Sequence, residues 1–551
     1  MLTVLVNWIY VIIITFGLGY GFSILSGSLL GYRLKGVDSI LMAGLGISTV
    51  YAQVFSLFGG VGMTANLVLV VACIIVFCVW RKDITAYLQH AVKECKIGRV
   101  ILIVAIVLLW SYFTSRGYMH YDSDLYHAQS IRWIEEYGVV PGLGNLHERF
   151  AYNSSFFAVS ALFSMKFLLG ESMHAMSGFF ALLLSFTALG IGRSWKNKKF
   201  SLADFARVGT IYYLITIIDE VVSPASDYSI MCVILFIVVK WLDLLEQKEE
   251  KCAPYALLCV LGVYGLTLKL TAGLIVLLTI KPAISLVKNK KYKEIMLYLG
   301  MGLMVAIPWF VRTVIISGWL IYPFPSLDLF QFDWEMNATA IEVDAAHITT
   351  WGRALYDASL VDLPIWEWFP NWYMTTLSGM EKVLIAGCLV CVIIYIADLI
   401  IIILKKQWKR LDVSLVIGAV LGSYLFWQCS APLIRYGYAY VLLLDCVVAG
   451  NLLIQLKWRK IQTAVYFILI LYGAYKMFAV GQYISGNYLQ ECYVWQADYG
   501  VYELESYEIE GVTFYYPLQG DRTGYDSFPA APYKMPLEFR GEGIEDGFRL
   551  K

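Results

Sequence analysis

Apolar runs long enough to cross a bilayer recur along the whole chain, and that repetition limits the fold more than any motif does. A helix rises ~1.5 Å per residue, so a ~30 Å hydrocarbon core takes about 20 mostly apolar residues. Such runs lie near residues 4–26, 39–58, 62–80, 99–114, 173–193, 204–222, 225–243, 294–316, 381–404, 411–428, 433–455 and 461–482. Within lipid, every backbone polar group must be satisfied internally, which leaves helices. The expected fold class is all-α: a polytopic transmembrane helical bundle with interfacial helices in its outer loops and a small C-terminal appendage. Composition agrees, with 59% hydrophobic residues, 15% charged and a mean hydropathy of +0.65. Net charge is zero, which gives no argument for a nucleic-acid partner. The first run, which lacks a basic leader, reads as a spanning helix rather than a removed signal.

Basic residues orient the spans, because cytoplasmic loops are enriched in Lys and Arg. They gather at Arg33 and Lys35, Arg81 and Lys82, Lys93 to Arg99, 195–199, 288–293, 405–410 and 457–460. All can share the cytoplasmic side if two segments fail to cross. Residues 153–169 are short and polar at their start, and are expected along the outer surface. Residues 253–287 are expected to form a hairpin of two helices broken near "TLKLT", which brings Lys269 close to the outer face. Broken backbone at that depth is tolerated where protein buries it or a wet cavity lies beside it.

Three outer segments follow: 115–153, 318–380 and a tail, 484–551, with one strand-like stretch, "GVTFYYP". The chain divides into N-terminal helices (1–98), a transmembrane core (99–483) and the tail (484–551). The eleven cysteines are scattered and most lie in apolar runs. Even the pair in "CLVC", Cys388 and Cys391, reads as packed helix rather than redox site.

Chemistry concentrates in "YMHYDSDLYHAQSIRW" (118–133), directly after a spanning run. If a helix starts there, Asp124 and His127 lie one turn apart and Asp122 is placed either as its N-cap or as a general base at the membrane surface. Asp122, Asp124 and His127 could also hold a divalent metal, though their spacing matches no specific metal motif. Lys269, Arg312 and Arg435 come from three helix ends and, in this topology, reach the outer leaflet. One such residue ordinarily snorkels to headgroups; three on the side poor in Lys and Arg suit a bound phosphate or pyrophosphate. Asp219 and Glu220 form a further acidic pair at an outer helix end, most simply a solvated turn. Asp398 and Asp445 sit inside spanning runs with no evident partner. Six tryptophans (319, 334, 351, 366, 368 and 372) in the second outer segment fit an interfacial belt and are compatible with a glycan-stacking wall.

An acid at the end of a span, with Tyr126 four residues after Asp122, leads into "GLGNLHERFAYNSSFFAVSALFSMKFLLGESMHAMSGFF". This order resembles the GT-C superfamily of membrane glycosyltransferases, in which an acid-bearing first outer loop precedes an interfacial helix and a "GES"-like turn. The turn here is residues 170–172. The resemblance implies a polyprenyl-phosphate-linked sugar donor and a glycan or lipid-linked acceptor. It implies Asp122 as base with Asp124 as its neighbour, and Tyr126, His127, Lys269, Arg312 and Arg435 as substrate-binding residues. It places the enzyme in a bacterial cytoplasmic membrane with its site on the outer face. The chain also resembles uncharacterised bacterial membrane proteins carrying "YDSDLYHAQSIRW", "NLHERFAYNSS", "SGWLIYPFP" and "APLIRYG" in that order. It departs from the superfamily in the Ser123 that interrupts the acid pair and in three extra helices before the core. The alternatives are a polysaccharide polymerase or ligase outside the superfamily, and a flippase or transporter for lipid-linked sugars, which predicts repeat symmetry and mid-membrane acids.

Overall fold

A computed structural model describes residues 1–94, 96–192, 200–456, 459–487, 489 and 492–551. The basic loop 195–199 and residues 457–458 lie outside the described residues. Ten described helical stretches are long and apolar enough to cross a membrane.

Helices α1 (Leu2–Leu30) and α2 (Val37–Phe55) form a close hairpin. A Cβ on Gly19 would sit 1.9 Å from the Ile40 carbonyl oxygen, and one on Gly44 1.8 Å from that of Thr15. Without a hydrophobic effect to drive them together, membrane helices gain contact through such small residues. α3 (Met63–Val79) is followed, across a bend of 83°, by α4 (Arg81–Glu94). The run at 62–80 is thus shorter than a comfortable span, and its charged continuation turns away. α5 (Ile97–Ser115) leads to the first outer segment, with α6 (Ala128–Glu136), α7 (Ser155–Leu162) and the single turn α8 (Lys166–Leu169).

Two expected spans are shorter than the sequence suggests: α9 (Met176–Ala188) and α10 (Leu202–Thr216). Nearly every side chain of α9 is buried in protein. A helix sheathed by other helices need not match the bilayer, because protein rather than lipid surrounds its ends. α11 (Ser226–Glu246) is almost wholly buried at the centre of the bundle. The hairpin expected at 253–287 is present. α12 (Cys252–Leu268) ends at Lys269, whose backbone is extended (φ −161°, ψ 134°), and a 3-10 stretch (Leu270–Thr279) continues into α13 (Ile280–Lys288). α14 (Tyr292–Ser317) returns to the end opposite the basic loops. There the second outer segment carries α15 (Ala338–Gly352) and α16 (Ile365–Thr375). α17 (Gly379–Leu404), α18 (Leu411–Cys429), α19 (Ile434–Leu456) and α20 (Arg459–Asn487) complete the bundle. Described basic loops meet at one end, where Arg33 pairs with Asp83 (3.6 Å) and Lys35 with Glu249 (3.1 Å). The ten described cysteines are free, including Cys388 and Cys391, both buried in α17.

The apolar core is continuous across residue 98: Trp8 and Leu45 share it with Phe180, Ile234 and Val441. A second core forms at the opposite end from the basic loops. It joins all three outer segments, with Trp133 and Leu146 of the first, Trp319 and Ile341 of the second, and Phe514 and Phe548 of the tail. The tail adds strands to an otherwise helical chain. β1 (Leu504–Ile509) pairs with β2 (Val512–Pro517), the expected strand-like stretch, and β3 (Leu537–Phe539) with β4 (Phe548–Leu550).

Polar contacts fasten the tail down. The Asp124 carboxylate accepts from the Gly500 amide and the Tyr502 hydroxyl, both at 3.0 Å, and its carbonyl accepts from the amides of Thr523 and Gly524. Gln129 donates to the carbonyls of Gly524 (3.0 Å) and Ser527 (2.9 Å). The N-terminal ammonium donates to the Cys492 carbonyl at 2.7 Å. Truncating Asp124 removes two hydrogen bonds from part-buried donors, a loss of ~1–3 kcal/mol. Asp124→Ala is therefore expected to speed limited proteolysis between residues 500 and 525 by about tenfold; cleavage at the wild-type rate would show that this anchor is dispensable.

Candidate functional site

The segment after α5 does not run straight into α6. Ser123–His127 forms a π-helical turn, a widened turn frequent at functional sites. Residues two apart on a turn do not face each other, so the carboxylates of Asp122 and Asp124 diverge. Asp124 turns to the tail. Asp122 occupies the N-cap position, yet its side chain makes no capping bond. It turns into the bundle and accepts from Arg435 Nη2 in a short contact.

Arg435 stands at the start of α19, just after the break "CSAPL" that ends α18. Its Nε lies 3.2 Å from Asp227 Oδ2, close enough for an ion pair though not aligned as a hydrogen bond. Asp227, in the first turn of α11, also takes a short bond from Lys269 at the hairpin break. Lys269 Nζ sits over the Tyr436 ring, 3.2 Å from its centroid. Two acids and two bases from four separate elements therefore alternate as Asp122, Arg435, Asp227, Lys269. The pairing follows from cost: a buried charge is tolerated only with a partner and hydrogen bonds. Asp227 is the deep member, with 7% of its side chain exposed, whereas Asp122 and Arg435 each keep 26%. Asp122 is thus the acid that an incoming ligand can replace.

A second layer surrounds this chain of charges. His120 Nδ1 is 3.5 Å from Arg435 Nη1, and its Nε2 contacts the Tyr228 hydroxyl, which donates to Glu220 Oε2 at 2.8 Å. Arg149 pairs with Asp344 (3.3 Å), and Tyr152 and Tyr322 donate to that same carboxylate. Burial acts to raise the Asp122 pKa, but Arg435 and then His127 outweigh it, holding the carboxyl below its usual range and ionised. Glu220 is held low by the His120 and Tyr228 bonds against the same burial effect. Burial, followed by the negative charge of Asp122, pushes the half-buried Tyr126 hydroxyl well above its ordinary value. Burial drives His127 down to about 4, so it is neutral, and its Nδ1 has no hydrogen-bond partner.

Of the expected site residues, Asp122, Lys269 and Arg435 come together, with Tyr126 and His127 behind Asp122. Arg312 does not join them. It is fully buried and donates to Asn153 (3.0 Å) and to Ser56, and no carboxylate pairs with it among the described residues. Asp122, Asp124 and His127 do not converge, and among the described residues no three His, Cys, Asp or Glu side chains are grouped to hold a metal. Of the six tryptophans, Trp319, Trp368 and Trp372 are core residues, and only Trp351 and Trp366 stand well exposed, at 59% and 74%. Asp398 finds its partner in Arg410.

Asp227, Arg149 and the group of His120, Tyr228 and Glu220 were not singled out from the sequence as members of the site. Asp227 carried one readable signal, an acid opening an apolar run, which also describes an ordinary helix start. Along the sequence Glu220 reads as part of a solvated turn; its pairing with His120 needs the two loops to meet.

Two outcomes follow. Asp227→Ala leaves Lys269 and Arg435 without their shared acid, and thermal denaturation in detergent should show a loss of ~3–5 kcal/mol. His127 is neutral when folded and takes a proton when unfolded, so its burial costs stability as pH falls from about 6.5 to 4. His127→Gln should flatten the melting temperature against pH in that window. An unchanged slope would mean that other groups, such as the similarly buried His147, set it.

A family of domains of unknown function, DUF8201, matches residues 1–442, a region that includes α1 to α5 and every member of the charge cluster. No curated protein and no solved structure matches the chain. With well over half of its length matched, the chain belongs to the DUF8201 family.

Proposed function

We propose that the protein is a membrane glycosyltransferase that transfers a sugar from a polyprenyl-phosphate donor to a glycan or lipid-linked acceptor on the outer face of a bacterial cytoplasmic membrane. The observation that carries this reading is the partly exposed Asp122–Arg435 pair, backed by Lys269 at the helix break. With Asp122 and Asp227 both engaged, the two cations are neutralised, so a phosphate must exchange with a carboxylate. Asp122 is the exchangeable one. Binding a phosphate at Arg435 and Lys269 would then release Asp122 as an ionised base beside the donor.

In the proposed step the acceptor hydroxyl attacks the anomeric carbon while Asp122 takes its proton. The bond from that carbon to the phosphate oxygen breaks, and its electron pair leaves with the polyprenyl phosphate. Arg435 and Lys269 meet the charge that develops on the leaving group. Asp227 holds both cations in place and touches neither reactant. The alternating ion pairs, which keep the cations ordered before substrate arrives, suit electrostatic preorganisation.

Purified protein in vesicles with a polyprenyl-phosphate sugar and acceptor extract tests the reading. Asp122→Asn should lower transfer ~10²–10⁴-fold, the usual contribution of a general base. Arg435→Lys keeps the charge but loses the fork and should raise KM for the donor more than Asp122→Asn does. Transfer near the wild-type level in Asp122→Asn would overturn the assignment of the base. Movement of donor across the vesicle with no new glycosidic bond would point instead to a transporter.

A further inference from the structure

From the end of the bundle opposite Asp122 the helices part around a cavity of about 1200 Å³ that runs along α2. That exceeds the ~300–1,000 Å³ usual for ligand pockets. Its α2 wall runs from Val37 to Val54, ~25 Å along a helix axis, most of the ~30 Å hydrocarbon thickness. α12 and α14 face it, and the far end of α11 closes its polar end. Asp227 begins α11, while Lys240 and Asp243 line the cavity, so its polar end stands ~20 Å from Asp227 along one helix.

The lining is segregated. Its body is aliphatic and aromatic, with Met42, Ile47, Leu261 and Met301 among its walls. Its charges all lie at the basic-loop end: Lys35, Asp38, Arg99, Arg207, Lys240 and Asp243. Both acids are engaged, Asp38 with Lys240 at 2.6 Å and Asp243 with Arg207 at 2.5 Å. Arg207 also holds Asp204 at 3.1 Å, and Lys35 reaches Glu249 at 3.1 Å. Arg99, by contrast, has no ion-pair partner among the described residues, and both Arg99 and Lys35 are exposed. With Glu249 and Asp204 counted, acids engage Lys35, Arg207 and Lys240, and of the four lining cations Arg99 alone is left without an ion pair among the described residues.

A void of this size does not occur in a close-packed interior, and apolar walls offer water too few hydrogen-bond partners to fill it. The cavity is not sealed either, since Met304 at its rim is 69% exposed. A long apolar channel, open to the side and ending at the unpaired Arg99 with the exposed Lys35–Glu249 pair also at its polar end, matches an amphiphile with an anionic head.

We propose that this cavity is a binding site for a membrane lipid with a phosphate headgroup. The phosphate sits at Arg99 and Lys35, and the hydrocarbon chain runs along α2. The site is separate from the Asp122 cluster and does not depend on the glycosyltransferase reading.

Native mass spectrometry on the full chain, released from nanodiscs of phosphatidylcholine with a minority of phosphatidylglycerol, tests the proposal. The wild-type protein should retain one phosphatidylglycerol under activation that strips phosphatidylcholine. A Cβ on Gly46 makes only ordinary contact, 3.9 Å from Tyr264, so Gly46→Phe can place its ring in the channel without moving backbone. It should cut retained phosphatidylglycerol by about tenfold or more. Arg99→Gln combined with Lys35→Gln, both on the exposed rim, should lower the preference for phosphatidylglycerol by about tenfold while leaving the melting temperature unchanged. Inorganic phosphate alone should not displace the lipid. Equal retention of the two lipids by the wild type, or retention unaltered by Gly46→Phe, would overturn the proposal, as would displacement by inorganic phosphate. Should Gly46→Phe fail to fold, the rim variant decides by itself.

Discussion

The arrangement at the end of the bundle opposite the basic loops depends on Arg435 being held between two carboxylates. A part-buried guanidinium needs polar or charged partners, and here two are carboxylates from opposite sides: Asp122 from the first of the segments joining the helices at this end and Asp227 from α11. Because Asp227 also binds Lys269, the same chain of charges fixes where the α12 hairpin breaks and where α19 begins. Buried ion pairs seldom add net stability over apolar packing, but removing one partner is costly. Such a network is better understood as specifying one arrangement of four helix ends than as gluing them together.

The outer segments answer to a different force. Trp133, Trp319, Phe514 and Phe548, drawn from all three, are buried in a single core at that end of the bundle. The π-helical turn at Ser123–His127 lies where that core meets the charge network. By separating Asp122 from Asp124, it sends one carboxylate into the bundle and the other to the tail. Two acids that look equivalent in "YDSD" thereby acquire different surroundings. Asp122 keeps an exchangeable ion pair, whereas Asp124 is spent on backbone amide and tyrosine hydroxyl donors.

Much of the bundle was legible because hydrocarbon imposes a length and a composition on every segment it touches. The hairpin break at Lys269 was legible for the same reason: flanking basic loops required the chain to return. What misled was applying that rule to segments that touch little lipid. α9 and α10 are buried by their neighbours and end short of a full span, with Asp219 and Glu220 in the turn beyond α10. The expected cluster of three cations failed at Arg312 for a similar reason. Position along a helix tells how deep a residue lies, but not which way its side chain points, and Arg312 points at Asn153 and Ser56.

The amino-acid sequence by itself determined that this chain is a helical membrane bundle and that Asp122, Lys269 and Arg435 stand at the ends of its helices. Those properties follow from the local cost of placing polar and charged groups in lipid. Only the tertiary structure decided that Asp122 meets Arg435, that Asp227 joins Lys269 to them and that Asp124 belongs to the tail. It also opened the cavity behind α2. These features arise from contacts between segments up to several hundred residues apart, and a pattern read along the chain carries no information about which helix end will face which.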